Sequence, residues 1–272
     1  MWAALSVDLE PNKDDTLERV CEAMLWFDRV APRGTVYVTH RIAIERPDLV
    51  GSLATDNEIG VHVHPREFGH DHDQLAELPF DRQATLIQRT RDALADACSL
   101  EVDEITAFRA GRHSASRETF DALAKLGFDI DASVNVRYGQ YLPASMIRRR
   151  TPFALEEGLL ELPTTYIRPE FPSRLWLRTF PSGTITATAN TLRTDRRFCS
   201  GKRAIQALVS SSPGVSLYFH PYDATEYHDL ENDGPTFRRR FERFVARLIK
   251  DNAVFQTAGD VDANGFDFGT II

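Results

Sequence analysis

The stretch Glu58-Ile59-Gly60-Val61-His62-Val63-His64-Pro65 places apolar Ile59, Val61 and Val63 at every second position and carries two histidines at its end. That alternation is the signature of a β-strand, and residues i and i+2 of an extended chain project to one side. His62 and His64 can therefore share a site. Working outward, Ala3 to Val7 reads as an earlier strand that runs into Asp8 and Glu10, a second i, i+2 pair. Thr35 to Val38, β-branched and aromatic, makes a strand between those two. Further on, Ile105 to Phe108 runs into Arg109, and Phe128 to Ser133 contains Asp131. Val215 to His220 ends on its histidine, and Val254 to Thr257 is the last strand.

Helical patterns fill the gaps. Leu17, Val20, Cys21, Met24 and Phe27 lie near one face of a helix over about Thr16 to Val30. Leu49 to Leu53 belongs to a short helix, and longer ones run from about Asp81 to Ala97 and from about Pro235 to Lys250. Ser116 is a candidate N-cap and Gly127 a candidate stop for the helix between them. Strand-helix alternation of this kind predicts a parallel sheet with helices outside. A chain of 272 residues suits an α/β barrel built as one unit. Residues 135–200, rich in Pro, Thr and aromatics, are expected to form an irregular insertion within a single catalytic domain spanning 1–272, with a short strand at Leu159 to Thr164.

Composition narrows the function classes. With 32 Lys+Arg against 40 Asp+Glu the net charge is -8, which argues against a sequence-independent grip on nucleic acid. The basic run Arg238-Arg239-Arg240 sits beside Phe237, Phe241 and Phe244, as solvated arginines flank a buried stripe. The three cysteines, Cys21, Cys98 and Cys199, are far apart and odd in number, which suggests a reducing compartment and no disulfide frame. No apolar run is long enough to cross a bilayer, and Met1 to Glu10 lacks the pattern of a signal peptide. The expected location is cytoplasmic, without a membrane partner.

The chemistry gathers at strand ends. In a (β/α) barrel these ends converge on one mouth, where active sites form. Asp8 and Glu10, His62 and His64, Arg109, Asp131 and His220 all stand there by this reading. Two imidazoles and one carboxylate make a three-point set for a divalent ion with a position left for water. A second carboxylate off the metal would be a base. His70 and His72, in a following loop, are reserve ligands should His64 be taken up in the core. Tyr166, Phe171 and Trp176 are read as packing in the insertion rather than as sugar-stacking platforms.

The segments Ser6-Val7-Asp8-Leu9-Glu10, Glu58 to Pro65, Phe108-Arg109-Ala110-Gly111-Arg112, Asp131-Ala132-Ser133 and Leu217-Tyr218-Phe219-His220-Pro221 resemble, in order and spacing, the motifs of polysaccharide deacetylases of the NodB-homology type. The resemblance spans about residues 3 to 260. It implies a distorted or incomplete (β/α) barrel and the removal of N-acetyl or O-acetyl groups from a glycan or amino sugar, with a divalent metal, zinc being the expected ion. Position by position it makes Asp8 the catalytic base and Arg109 the arginine that holds it. It makes His220 the catalytic histidine and Asp131 the acid that tunes it. Glu10, His62 and His64 become the metal set. Two positions depart from the family pattern: Leu9 stands where a ligand aspartate is usual, and Arg66 where the second histidine is usual. A related amidohydrolase acting on a small non-sugar amide without metal, and a non-catalytic carbohydrate binder, remain as alternatives.

Overall fold

The computed structural model describes residues 1–168, 183–196, 199–226 and 234–261. Its strands are β1 (Trp2–Leu9), β2 (Thr35–Thr39), β3 (Glu58–Val63), β4 (Ala107–Ala110), β5 (Ile130–Asp131), β6 (Phe153–Ala154), β7 (Leu160–Glu161), β8 (Tyr166–Ile167), β9 (Ile185–Thr186), β10 (Asp195–Arg196), β11 (Cys199–Ser200), β12 (Gly214–Phe219) and β13 (Val254–Gln256). The main sheet runs β12-β1-β2-β3-β4-β5-β7-β6. Its neighbours are parallel except for the last pair. β2 pairs only with the second half of β1, and β13 takes the first half, Trp2 to Ala4. Among the described residues β12 and β6 do not pair, so the sheet curls without closing. This is the incomplete (β/α) barrel expected of the deacetylase fold.

Strand period divides the core in two. Ala3, Leu5, Val7 and Leu9 of β1 join the large core under the helices. Trp2 and Ala4 face the other way, into a small core with Tyr37, Ala107, Ile130, Ala132 and Leu162. The inner face thus carries apolar side chains at its base and polar ones toward the strand ends.

The helices follow the predicted apolar stripes with small shifts of boundary. Helix Val20–Val30 buries Val20, Met24 and Phe27, and helix Gly234–Lys250 buries Phe237, Phe241, Phe244 and Leu248. Phe219, the last residue of β12, sits among them, 5.6 Å from the Phe27 ring, 5.1 Å from Phe237 and 5.3 Å from Phe241. Each such ring contributes roughly 1.5–3 kcal/mol by burial, so the strand end that carries His220 is firmly anchored. Ser116 caps helix Arg117–Lys125, and Gly127 takes φ +72, the left-handed turn that a glycine allows without a Cβ clash.

Three details differ from the sequence reading. Helices His40–Glu45 and Gly201–Ser211 are additional, and β6 and β7 of the expected insertion extend the main sheet. Arg238 bonds the carbonyl of Ala224, and Arg240 those of Leu192 and Thr194, so two arginines of that basic run tie loops to the helix. The Tyr166 hydroxyl donates to the carbonyl of Arg148, which makes it a packing residue as expected. Phe171 and Trp176 lie outside the described residues.

Candidate active site

Register decides which side chains meet at the mouth. Ser6 is level with Tyr218, Asp8 with Tyr37, and His62 with Arg109. Residues level with one another on paired strands share a face. Asp8, His62, Arg109 and Tyr218 therefore crowd the inner face, with Glu10, His64 and His220 just past the ends of β1, β3 and β12. All of these except the buried Arg109 line a cleft of about 1230 Å³.

Glu10, His62 and His64 bring one donor atom each to within 4.8 Å of one another. Glu10 Oε2 lies 2.7 Å from His64 Nε2 and 3.6 Å from His62 Nε2, and the two Nε2 atoms are 3.2 Å apart. His62 Nδ1 donates to the carbonyl of Arg109 at 2.8 Å, which leaves Nε2 as a lone pair turned to the cleft. Asp73 Oδ1 stands 3.6 Å behind His64 Nδ1, the outer carboxylate that metal-binding histidines commonly have. Burial opposes a charge on His64, yet Glu10 and Asp73 push its pKa up to about 10. The same field that holds a proton there would hold a cation. The set fits a divalent ion, and it is the set expected from sequence. His70 and His72 are not among the converging donors; the His72 ring accepts from the backbone of Gln74.

Gly111 makes room for this arrangement. A Cβ there would come within 2.6 Å of the Val63 carbonyl and 2.8 Å of His64 Cε1. The next two residues, Arg112 and His113, both take left-handed backbone at φ +54 and +53. Each costs on the order of 1–2 kcal/mol, strain of the kind stored beside functional clefts.

Asp8 is not one of those donors. Its Oδ1 is bound by Arg109 Nη1, which also donates to Ser6 Oγ at 3.0 Å. Arg109 Nε donates to the carbonyl of Ala132, and the guanidinium packs 4.1 Å from the centre of the Tyr37 ring. Burial alone would raise the Asp8 pKa, but Arg109 and the surrounding imidazoles bring it below its ordinary value. Asp8 is thus kept ionised, with Oδ2 directed 3.9 Å from His220 Nε2.

His220 corrects one expectation. The carboxylate on its Nδ1 is Asp223, at 3.2 Å, not Asp131. Asp223 Oδ2 also accepts the His220 backbone N–H at 2.9 Å, and its Oδ1 accepts from Arg193 at 2.6 Å. Burial works against protonation of His220, but Glu10, Asp223 and Asp8 raise its pKa to about 9. Asp131 is level with Phe108, whose side chain belongs to the outer core, so it points away from the mouth. There it accepts from Ser133 Oγ and lies beside Glu161, its level partner on β7. Asp223 was missed: its spacing of three residues from His220 is visible in the sequence, but the 3-10 turn that brings the two side chains together is not.

His113 was also missed. It is buried in the cleft wall, stacked on Tyr138 at 5.4 Å, with Nδ1 donating to the Ser133 carbonyl and Nε2 accepting from Asn135. Burial, with Arg109 nearby, holds its pKa down to about 3, so it stays neutral.

A curled parallel sheet with its polar groups at the strand ends defines the class: an incomplete (β/α) barrel with a cleft at its C-terminal mouth. More narrowly, the chain has the polysaccharide-deacetylase fold. It is similar, at 17% identity and TM-score 0.61, to a provisionally assigned polysaccharide deacetylase from Mycobacterium smegmatis, covering 99% of this chain and 94% of that one. A peptidoglycan N-acetylglucosamine deacetylase in complex with a naphthyl N-oxidanyl-benzamide matches at 13% identity and TM-score 0.55, over 100% and 90% of the two chains. A CE4 family pseudoenzyme from Bacillus anthracis matches at 11% identity and TM-score 0.52, over 95% of this chain and 64% of its own. No protein-family model and no curated protein matches the sequence, so the likeness is one of structure.

Proposed function

We propose that the chain is a metal-dependent hydrolase that removes an acetyl group, chiefly N-acetyl, from an amino sugar or glycan. The observation that carries this reading is the convergence of Glu10, His62 and His64 beside both the Asp8–Arg109 pair and the His220–Asp223 pair. A base with its clamp, an acid with its orienting carboxylate and a cation site are what amide cleavage requires together. A pure binding site has no need of a base, its clamp and an acid together.

Two imidazole nitrogens and a carboxylate oxygen suit zinc, which when bound would supply a Lewis acid for the scissile carbonyl. Asp8, free of the donor set and held ionised by Arg109, takes a proton from the attacking water. Aiming is the task of Arg109, whose Nη1, Nε and ring contacts leave it no freedom to move. His220 turns Nε2 toward Asp8 and Glu10 at 3.9 and 3.6 Å and gives its proton to the departing nitrogen. Such a transfer is worth about a hundredfold to ten-thousandfold in rate. Asp223 holds Nδ1 and favours the protonated ring. The free thiols of Cys21 and Cys98 support a reducing, cytoplasmic setting, and no described helix is long and apolar enough to cross a membrane.

The test is acetate release from N-acetylated oligosaccharides by zinc-loaded protein. Asp8→Ala and His220→Ala should each lower the rate by about a hundredfold or more, and chelator-treated protein should be inactive until metal is restored. Full activity in metal-stripped protein would point to a metal-free amidohydrolase instead. A second reading, a non-catalytic carbohydrate binder, is supported by the pseudoenzyme of the same fold. Sugar binding without acetate release under any divalent metal would select it.

A further inference from the structure

Behind His220 the main cleft opens into a side pocket of about 210 Å³. Lys13, Arg137, Tyr138, Tyr218, His220 and Tyr222 line both spaces and form the ridge between them. The far wall is the turn and short helix around Thr188 to Arg193. If His220 protonates the departing nitrogen, the half of the substrate that leaves with that nitrogen lies on the His220 side. The side pocket is then the space next to the amino sugar itself, not next to the acyl group.

The carboxylate in the pocket lining, Asp223, is already engaged by Arg193 and His220, which leaves the cations around it in excess. Lys13 stacks over the Tyr222 ring at 5.1 Å, and among the described residues neither its ammonium nor the Arg137 guanidinium has an anionic partner. Arg193 spends Nη2 on Asp223 and Asn190, while its Nη1 is buried with no partner. The Thr188 hydroxyl is likewise buried and unpaired. The other cations of the cleft are matched: Arg41 with Asp15 and Glu45, Arg66 and Arg112 with Asp73. In a chain of net charge -8, two exposed cations without an anionic partner, facing a buried guanidinium N–H and hydroxyl that are also unpaired, make a place where an anion would be matched.

We propose that the side pocket is a subsite for an anionic group, a carboxylate or a phosphate, borne by the amino-sugar half of the substrate, with Lys13 and Arg137 as its specificity-determining residues. This rests on the deacetylase reading for the orientation of the substrate. A neutral sugar fills the same space but leaves both cations solvated, whereas an anion gains charge-assisted hydrogen bonds from them.

Calorimetry with three sugars tests it: N-acetylglucosamine, N-acetylmuramic acid, which adds a carboxylate, and N-acetylglucosamine 1-phosphate. At low ionic strength at least one anionic sugar should bind about tenfold or more tighter than the neutral one, and which one does so identifies the group. That ratio should fall in Lys13→Ala and in Arg137→Ala, invert in Arg137→Glu, and shrink as salt is added. Equal binding of all three, no binding of any, or a ratio that survives these substitutions overturns the subsite. Acetate release is scored separately. An anionic preference without turnover of any substrate sinks the deacetylase reading and leaves the subsite standing. Turnover of neutral oligosaccharide without anionic preference does the reverse.

Discussion

Arg109 is one of the largest fully buried side chains in the molecule, and it is permanently charged. Its partner Asp8 is buried as well, so neither charge has water to fall back on. Removing one member of such a pair leaves the other stranded, which costs about 3–5 kcal/mol. Arg109→Ala should therefore lower the urea unfolding free energy by about that much, while Arg109→Lys loses less stability but mis-aims Asp8 and lowers turnover. A stability loss within error for Arg109→Ala would mean that Asp8 finds its own solvation and the clamp is not one. The Asp131–Glu161 pair poses the opposite problem, two carboxyls with no cation bonded to either. Asp131 Oδ2 and Glu161 Oε2 are both buried without another partner, so one shared proton satisfies both. Burial first, and Asp131 beside it, hold Glu161 well above its ordinary 4.5. Between that ordinary value and the raised folded one, folding takes up a proton. The stabilisation is thus complete below about pH 4.5 and is lost as pH rises through the folded value. In Glu161→Gln the amide N–H replaces the shared proton, and its oxygen still accepts from the Val134 N–H. This variant should match the parent within about 1 kcal/mol in acid and gain on it steadily as the pH rises above the ordinary carboxyl range, read from urea midpoints. A difference independent of pH would rule the shared proton out.

Turns between elements, more than the elements themselves, set the geometry of the cation site. After β4 the chain makes a 3-10 turn, Gly111–His113, that passes directly behind the His64 ring. Gly111→Ala would push a methyl group into the Val63 carbonyl and the imidazole, so it should lower divalent-metal affinity by about tenfold or more without touching a ligand. Competition with a chromogenic chelator measures this, and unchanged affinity would show that the ring has room to shift. The same contrast explains what was legible in the sequence. Strands announce themselves by alternation, so the ends of β1, β3 and β12, and with them Glu10, His62, His64 and His220, could be named from residue order. Asp131 misled because a strand of two residues carries too little pattern to fix its face; only its register with Phe108 shows that it points outward. Helix His40–Glu45 was invisible for a similar reason, with only Ile42 and Ala43 buried in six residues. Asp73, Asp223 and His113 act from turns, where no period exists and partners are set by tertiary approach.

At the scale of the molecule the cation site is a clasp across the sheet. Glu10 follows β1, His62 lies in β3 and His64 just past its end, with β2 between the two strands in the sheet. Burial raises the Glu10 pKa, but the facing imidazoles bring it back well below its ordinary value, so this donor stays a carboxylate as a cation site requires. A divalent ion bound to the folded state alone stabilises it by mass action, about 2.7 kcal/mol at a hundredfold excess over Kd. For a chain of this size that corresponds to a rise in Tm of about 5–10 °C. Zinc added to chelator-treated protein should give that rise in the parent and in Asp8→Asn, which lies outside the donor set. It should be lost in Glu10→Ala and His64→Ala and kept in His72→Ala. Loss of turnover in Asp8→Asn with its thermal response intact would separate the base from the ligands within one fold. If His72→Ala abolished the response and His64→Ala preserved it, the loop after β3 would have to refold around the ion, and the clasp drawn here would be the wrong one.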